Sequence, residues 1–401
     1  MKNDVYWIWL QLLLGCGSRK LLPVLEYFGS PKAVYDAGEP ELRASRLLMP
    51  AEILRHRKLD KSAAADLSRV CLRRKIDVIS MENPDYPKRL LRMMDPPAVL
   101  YVTGTLPVVD DEVCVAMVGT RRATPTGREA ARRLACRLGK AGAVIVSGGA
   151  YGIDTACHEG GLSAGAKEIC VMGCGVDVPC FEQNRGLRER IAETGAVISE
   201  FPPGYRASRF TFPMRNRIVS ALSLCTVVIE APARSGALIT ARTALEQGRD
   251  VFVIAGNPMA PEYAGSNRLL QDGARPVYTP MDILGEYAAQ YPHRLDLRDA
   301  MIPLGEESKL IPGAEEPQFP SPAQKFSRPA PPKGISDGAK AIYNTIDARV
   351  ISFDAMAARS GLSAPKAVQA VTELELMGIL SALPGGKYEF ACQNSPERKE
   401  E

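Results

Sequence analysis

Histidine is scarce in this chain of 401 residues: there are three, and no two cysteines stand in a C-x-x-C pair. Cys170, Cys174 and Cys180 are the densest sulfur cluster, so a zinc site has little to build on and no metal is expected. No apolar stretch approaches the roughly 18 uncharged residues that a membrane-spanning helix requires. The apolar start, Met1 to Gly15, carries Asp4 and Gln11 and lacks a small-residue cleavage site. It reads as a core helix rather than a signal peptide, and a cytoplasmic location is the expectation. Charge of one sign is also missing in bulk, since the formal net charge is only +4. Composition alone therefore announces no nucleic-acid partner. Neither G-x-G-x-x-G nor an acidic residue at the end of the second core strand is present, which disfavours a dinucleotide. No cofactor is expected.

What the chain does have is a block from Val113 to Ala274 in which short apolar runs alternate with glycine-rich turns and helical patterns. The runs are VCVAMV, VIVS, EICVM, AVIS, CTVVIE and DVFVIAG. That alternation predicts an α/β fold with a parallel sheet covered by helices on both faces. Ligands of such sheets sit beyond the carboxyl ends of the strands, so the turns there are the candidate sites. Gly119-Thr120, Ser147-Gly148 and Ser235-Gly236 are small or hydroxyl-bearing turns that open onto helices. Free amides and the helix dipole converge at such turns, making them candidate anion sites.

Basic residues cluster near these turns. Arg121, Arg122, Arg128, Arg132, Arg133, Arg137 and Lys140 face one acid, Glu129, between positions 119 and 140. The helical members read most simply as a solvated face, whereas Arg121 and Arg122 lie in the turn. The segment SEFPPGYRASRFTFPMRNRIVSAL interleaves Tyr205, Phe210 and Phe212 with Arg206, Arg209, Arg215 and Arg217. Aromatic faces that stack on bases, beside guanidinium groups that grip phosphates, suit a single-strand groove. The competing reading packs Phe212 into the loop and pairs Arg215 and Arg217 with Glu200 or Glu230, with Asn216 as a cap. Asp154 and His158, spaced i, i+4, are either an acid/base pair or structural.

The flanks differ from the core. Residues 1–70 read as short helices, whose Gly15-x-Gly17 turn either aims amides at a phosphate or only permits a bend. Residues 71–112 connect them to the core through two short strands, IDVIS and AVLYVTG. The stretch 301–335 is proline-rich and reads as a linker. Residues 336–392 read as a winged helix-turn-helix with Ser363 as a helix cap and Pro384-Gly385-Gly386 at the hairpin tip. A charged tail follows from 393 to 401. Lys366 is the only base on the second helix before Glu373 and Glu375, so the winged helix suits a protein partner as well as duplex DNA.

VGTRRATPTG, VSGGAYGIDTACH, VMGCGVDVPCFEQN, FPMRNRIVSAL, VIEAPARSGALITA and GSNRLLQDGA, in this order, resemble the DNA-processing protein A (Smf) family. The resemblance implies an extended Rossmann-like core (71–300), a small N-terminal domain of SAM or helix-hairpin-helix type and a C-terminal winged helix. It implies non-catalytic binding of single-stranded DNA, a core-mediated homodimer, and the loading of a RecA-type recombinase in natural transformation. By motif it points to Arg121, Arg209, Arg215 and Arg217, and to Arg185 after Asn184. With Arg122, Arg206, Phe210 and Asn216 these make up the expected DNA-binding set. Departures include Thr126, where the family has tyrosine, and Ala221, where it has glycine. A nucleoside-phosphate-hydrolysing enzyme of related fold is the alternative. Such enzymes carry P-G-G-x-G-T and a downstream glutamate, where this chain has Ala233 to Leu238 and Glu246.

Overall fold

The structure is a computed structural model and describes residues 4–306, 331–332, 334–346, 350–383 and 387–390. The chain forms two compact units that divide at residue 308. Residues 307–330 of the expected linker, the hairpin tip Pro384-Gly385-Gly386 and the tail 393–401 lie outside the described residues.

The first unit begins with six helices, α1 (Asp4–Leu14), α2 (Leu21–Phe28), α3 (Pro31–Asp36), α4 (Glu39–Ser45), α5 (Pro50–Lys58) and α6 (Lys61–Arg73). Then come β1 (Asp77–Ser80), the short α7 (Lys88–Leu91) and β2 (Val99–Gly104). The alternating core follows: β3 (Cys114–Val118), α8 (Pro125–Lys140), β4 (Val144–Ser147), α9 (Ile153–Ser163) and β5 (Glu168–Val171). It continues through α10 (Arg185–Thr194), β6 (Ala196–Ser199), α11 (Thr211–Leu222), β7 (Cys225–Val228) and α12 (Gly236–Glu246). It closes with β8 (Asp250–Val253), α13 (Ala264–Gln271), β9 (Arg275–Pro276) and α14 (Met281–Leu284).

These strands form one nine-stranded sheet in the order β1-β2-β6-β5-β4-β3-β7-β8-β9. Pairing is parallel from β6 to β9 and antiparallel for β1–β2 and β2–β6. The alternation of strand side chains sets the two faces. Cys114, Ala116 and Val118 pack with Val219 and Leu222 of α11 and Ala241 of α12. Val115 and Met117 pack on the other face with Leu134 of α8 and Ala156 of α9. The N-terminal helices add a third layer over Val99 and Tyr101 of β2. The Gly15-x-Gly17 turn serves this packing, because the Gly17 amide donates to the Glu200 carboxylate at 2.6 Å.

Helices α8 and α9 approach closely through glycine. A Cβ on Gly160 would stand 2.2 Å from the Arg132 carbonyl oxygen, with only backbone around it. Gly160→Ala is therefore expected to destabilise by about 1–3 kcal/mol, the usual cost of overpacking. A urea titration with unchanged m-value would read it. An unaltered midpoint would mean the two helices separate freely. Residues 301–304 are not free linker: Arg137 donates to the carbonyls of Ile302 (2.6 Å) and Pro303 (2.7 Å), and Arg133 to that of Leu304. Three of the helix-face bases are thus engaged locally, since Arg132 and Arg133 also pair with Glu129.

The second unit holds α15 (Asp337–Thr345), β10 (Val350–Ser352), α16 (Phe353–Ser360), α17 (Ala364–Leu376), β11 (Leu380–Leu383) and β12 (Lys387–Phe390). Its antiparallel sheet runs β10-β12-β11, around a core that includes Ile342, Met356, Val371, Leu374 and Phe390. It is a winged helix, with β10 as a strand the sequence reading lacked. Ser363 stands at the N-cap of α17, but its hydroxyl accepts no capping bond.

Candidate nucleic-acid interface

Strands β4, β5 and β6 lie to one side of β3, and β7, β8 and β9 to the other. The strand order therefore reverses at β3/β7, which in open α/β sheets is where ligands bind. A cleft of about 690 Å³ opens there. Its walls are the turns after β3, β4 and β7 and the first turns of α11.

Each wall is fixed by local chemistry. Thr124 caps α8 by accepting from the Gly127 amide at 3.0 Å, and Pro125 presets the first helical turn. The Glu230 carboxylate holds the same turn from β7, accepting from the Thr124 amide at 3.0 Å and its hydroxyl at 2.5 Å. A Cβ on Gly127 would stand 1.9 Å from that carboxylate. Gly152 has φ +81°, and its missing side chain lets the β4 turn lie against the carbonyls of Thr120 and Arg121. Ser235 caps α12 through the Ala237 amide. Glu230 is thus a structural clamp and pairs with neither Arg215 nor Arg217.

The cleft gathers Gly119, Thr120, Arg121, Arg122, Gly148 and Arg209, together with Arg215, Asn216, Ser235 and Gly236. Arg121, Arg122 and Arg209 are exposed. The Arg121 guanidinium sits over two rings, 4.7 Å from the centre of Phe212 and 5.3 Å from that of Phe181. Phe181 meets Tyr151 edge-on at 5.0 Å, and the two phenylalanines lie 5.6 Å apart. The result is a half-buried aromatic row with a cation on its face. Arg215 is 3 % exposed. It donates to the carbonyls of Gly148 and Val171 and to Asn216 Oδ1. Burial lowers its pKa and the nearby Asp154 partly restores it.

Other expected site residues fall elsewhere. Ser147 is fully buried and its hydroxyl donates to the Met117 carbonyl at 2.7 Å, so it offers nothing to an anion. Arg217 is turned away from the cleft, buried against Glu200 and Asp95. Arg185 heads α10 outside the cleft and pairs with Glu182 and Glu189. Arg206 and Phe210 are exposed on the preceding loop but do not line the cleft, and Phe210 carries the Arg209 guanidinium at 4.7 Å. Of the three interleaved aromatics, Phe212 is the one that does, against the competing reading that packs it into the loop.

The sequence reading does not single out Phe181, Tyr151 or Arg234, and it gives Asp154 no place on the cleft wall. Phe181 carried a signal only in retrospect: it has φ +54°, costly for a bulky residue and concentrated at functional sites. Arg234 stands one residue before the Ser235 cap and lines the cleft. Asp154 and His158 do not pair: His158 Nδ1 meets Glu168 Oε2 at 2.8 Å, both fully buried. Among the described residues no group of three or more His, Cys, Asp or Glu could hold a metal ion. Glu246, the counterpart of the hydrolases' glutamate, is exposed and not among the residues that line the cleft.

A basic, glycine-walled cleft at the switch point of a doubly wound sheet, with a winged helix downstream in the chain, defines an α/β protein with a site suited to an anionic ligand. Residues 77–288 match the family model of DNA recombination-mediator protein A, and residues 326–386 that of the DprA winged helix domain. The chain belongs to the DNA recombination-mediator protein A (DprA/Smf) family. It is similar to Protein Smf of Synechocystis, 33% identical over 327 residues that cover 78% of this chain and 79% of the relative. Protein Smf of Escherichia coli is 34% identical over 311 residues, covering 77% of this chain and 76% of the relative. The X-ray structure of DNA processing protein A from Streptococcus pneumoniae superposes with a TM-score of 0.62 at 32% identity, covering 71% of this chain and 98% of that one.

Proposed function

We propose that this chain binds single-stranded DNA without sequence preference in the switch-point cleft and loads a RecA-type recombinase onto it. Natural transformation and general recombination are the settings that fit, in the cytoplasm and with no catalysis of its own. We further propose a homodimer through the Rossmann-like core, and a division of the chain at about residues 70, 300 and 335. The observation that carries the DNA reading is the Arg121 guanidinium lying over Phe212 and Phe181 at the mouth of the cleft. Half-buried rings beside exposed arginines are the elements that hold an unpaired strand, by stacking and by phosphate contact. Arg206 and Phe210 extend this surface along the loop that leads to Arg209.

The test is fluorescence anisotropy of labelled oligo-dT and a matched duplex across a salt series, with wild type and Arg121→Ala/Arg209→Ala. Single strands are expected to bind more tightly than duplex. The double variant is expected to lose affinity about tenfold or more, and to flatten the salt slope by roughly 1.4, at about 0.7 for each phosphate contact. Equal binding of duplex, or a variant with unchanged slope, would place the DNA elsewhere.

A further inference from the structure

The floor of the cleft has a chemistry its rim does not. Asp154, in the first turn of α9, lines the cleft and is 8 % exposed. Its one hydrogen bond among the described residues is a long one, with Oδ2 accepting from the Ala150 amide at 3.3 Å. No basic side chain reaches it within ion-pair distance among the described residues, although Arg215 and Arg121 are its electrostatic neighbours. A carboxylate so placed is costly unless something donates to it. Arg215 lies beside it on the same floor. Its Nη1 and Nε are engaged by Gly148, Val171 and Asn216, and Nη2 carries no hydrogen bond among the described residues.

The floor therefore presents one unused acceptor and one unused donor to whatever enters. A phosphodiester is a poor occupant, because its charge would be forced against the Asp154 carboxylate. A nucleobase is a good one. Thymine offers N3–H beside O4, guanine N1–H beside O6, cytosine N4–H beside N3 and adenine N6–H beside N1. Every base thus pairs a donor with an acceptor on its Watson–Crick edge, and that edge is free only in an unpaired strand.

The geometry points to Asp154 and Arg215 as a reader of the Watson–Crick edge of one unpaired base, with bases inward and phosphates out on the arginine rim. This inference rests on the DNA reading of the cleft and deepens it. It makes selection for single strands a property of the base edge rather than of backbone flexibility, and it tolerates any sequence because all four bases satisfy the same pair.

The experiment compares oligo-dT with the same strand built wholly from N3-methylthymine, which keeps phosphates and ring faces but blocks the edge at every register. Wild type is expected to bind the methylated strand about tenfold more weakly, the scale of one lost base-edge pair. Asp154→Ala is expected to bind oligo-dT about tenfold more weakly and to make no distinction between the two strands. The wild-type comparison decides alone should that variant fail to fold. Free thymidine monophosphate, equimolar with the strand, is expected not to displace it; displacement would make the floor a mononucleotide site and overturn the inference. Equal wild-type binding of both strands, with Arg121→Ala/Arg209→Ala weakening both, would sink base-edge reading alone. A double variant that binds like wild type would remove the cleft, and both proposals with it.

Discussion

Replacing Glu200 by alanine is expected to lower the unfolding free energy of the large unit by about 3–5 kcal/mol, the range seen when one partner of a buried ion pair is removed. Glu200 is 1 % exposed. One carboxylate oxygen accepts from the Gly17 amide at 2.6 Å and the other from Arg217 Nη2, while its backbone carbonyl accepts from Gln11 at 3.0 Å. Arg217 also donates to the Asp95 carbonyl at 2.5 Å. The Glu200–Arg217 pair thus ties together three stretches distant in sequence: α1 with the turn after it, the Asp95 loop and α11. Without Glu200 the Arg217 guanidinium stays in the interior with one long ion pair, Asp95 Oδ2 at 3.6 Å from Nε, and the Asp95 carbonyl as its remaining partners. A denaturant titration checks this, with a drop in melting temperature on the order of 10 °C as its thermal counterpart. Glu200→Met/Arg217→Met, which removes both charges, is expected to recover much of the loss. If the single variant unfolds at the wild-type midpoint, the N-terminal helices are not held by this pair.

The second large effect is a pH dependence. His158 and Glu168 are both fully buried. Burial by itself would lower the His158 pKa, but the adjoining Glu168 carboxylate and the Cys170 sulfur raise it to about 10. A histidine whose pKa rises on folding stabilises the fold fully below its unfolded value near 6.5, and loses that contribution as pH climbs through the folded value. Stability of the large unit is therefore expected to fall by several kcal/mol between about pH 6.5 and pH 10. His158→Ala should cost about 3–5 kcal/mol at neutral pH by leaving Glu168 buried alone. His158→Leu/Glu168→Met should flatten the pH slope, and urea midpoints at pH 6.5, 8 and 9.5 separate these outcomes. A flat wild-type profile would mean that His158 is neutral in the fold. The same variants test the role of the Asp154–His158 spacing: they should leave oligo-dT binding at neutral pH intact where the protein is folded.

Arg215 and Arg217 show where reading the sequence stops. Both belong to FPMRNR and both are nearly buried. Two residues on a helix differ by about 200° in direction, so one reaches the cleft and the other the N-terminal layer. Which does which depends on what packs on either side of α11. Phe210 and Phe212 divide in the same way, one exposed on the loop and one under Arg121. Ser147 and Gly148 adjoin in sequence, yet the hydroxyl turns into the sheet and the glycine onto the cleft. Phe181 and Tyr151, 30 positions apart, share one aromatic row with Phe212.

By itself the sequence determined the alternating α/β core, the glycine-walled turns at its strand ends, the arginines in them and the winged helix downstream. These follow from local periodicity, cap residues and turn chemistry, which act over a few positions. Only the tertiary structure decided that β1 and β2 join the sheet antiparallel and that its order reverses at β3/β7. It alone decided that Glu200 and Glu230 are clamps, and that Asp154 and Arg215 share the floor of the cleft. Those relations join residues 17 to 189 positions apart in the chain, and their direction is set by packing that no local pattern encodes.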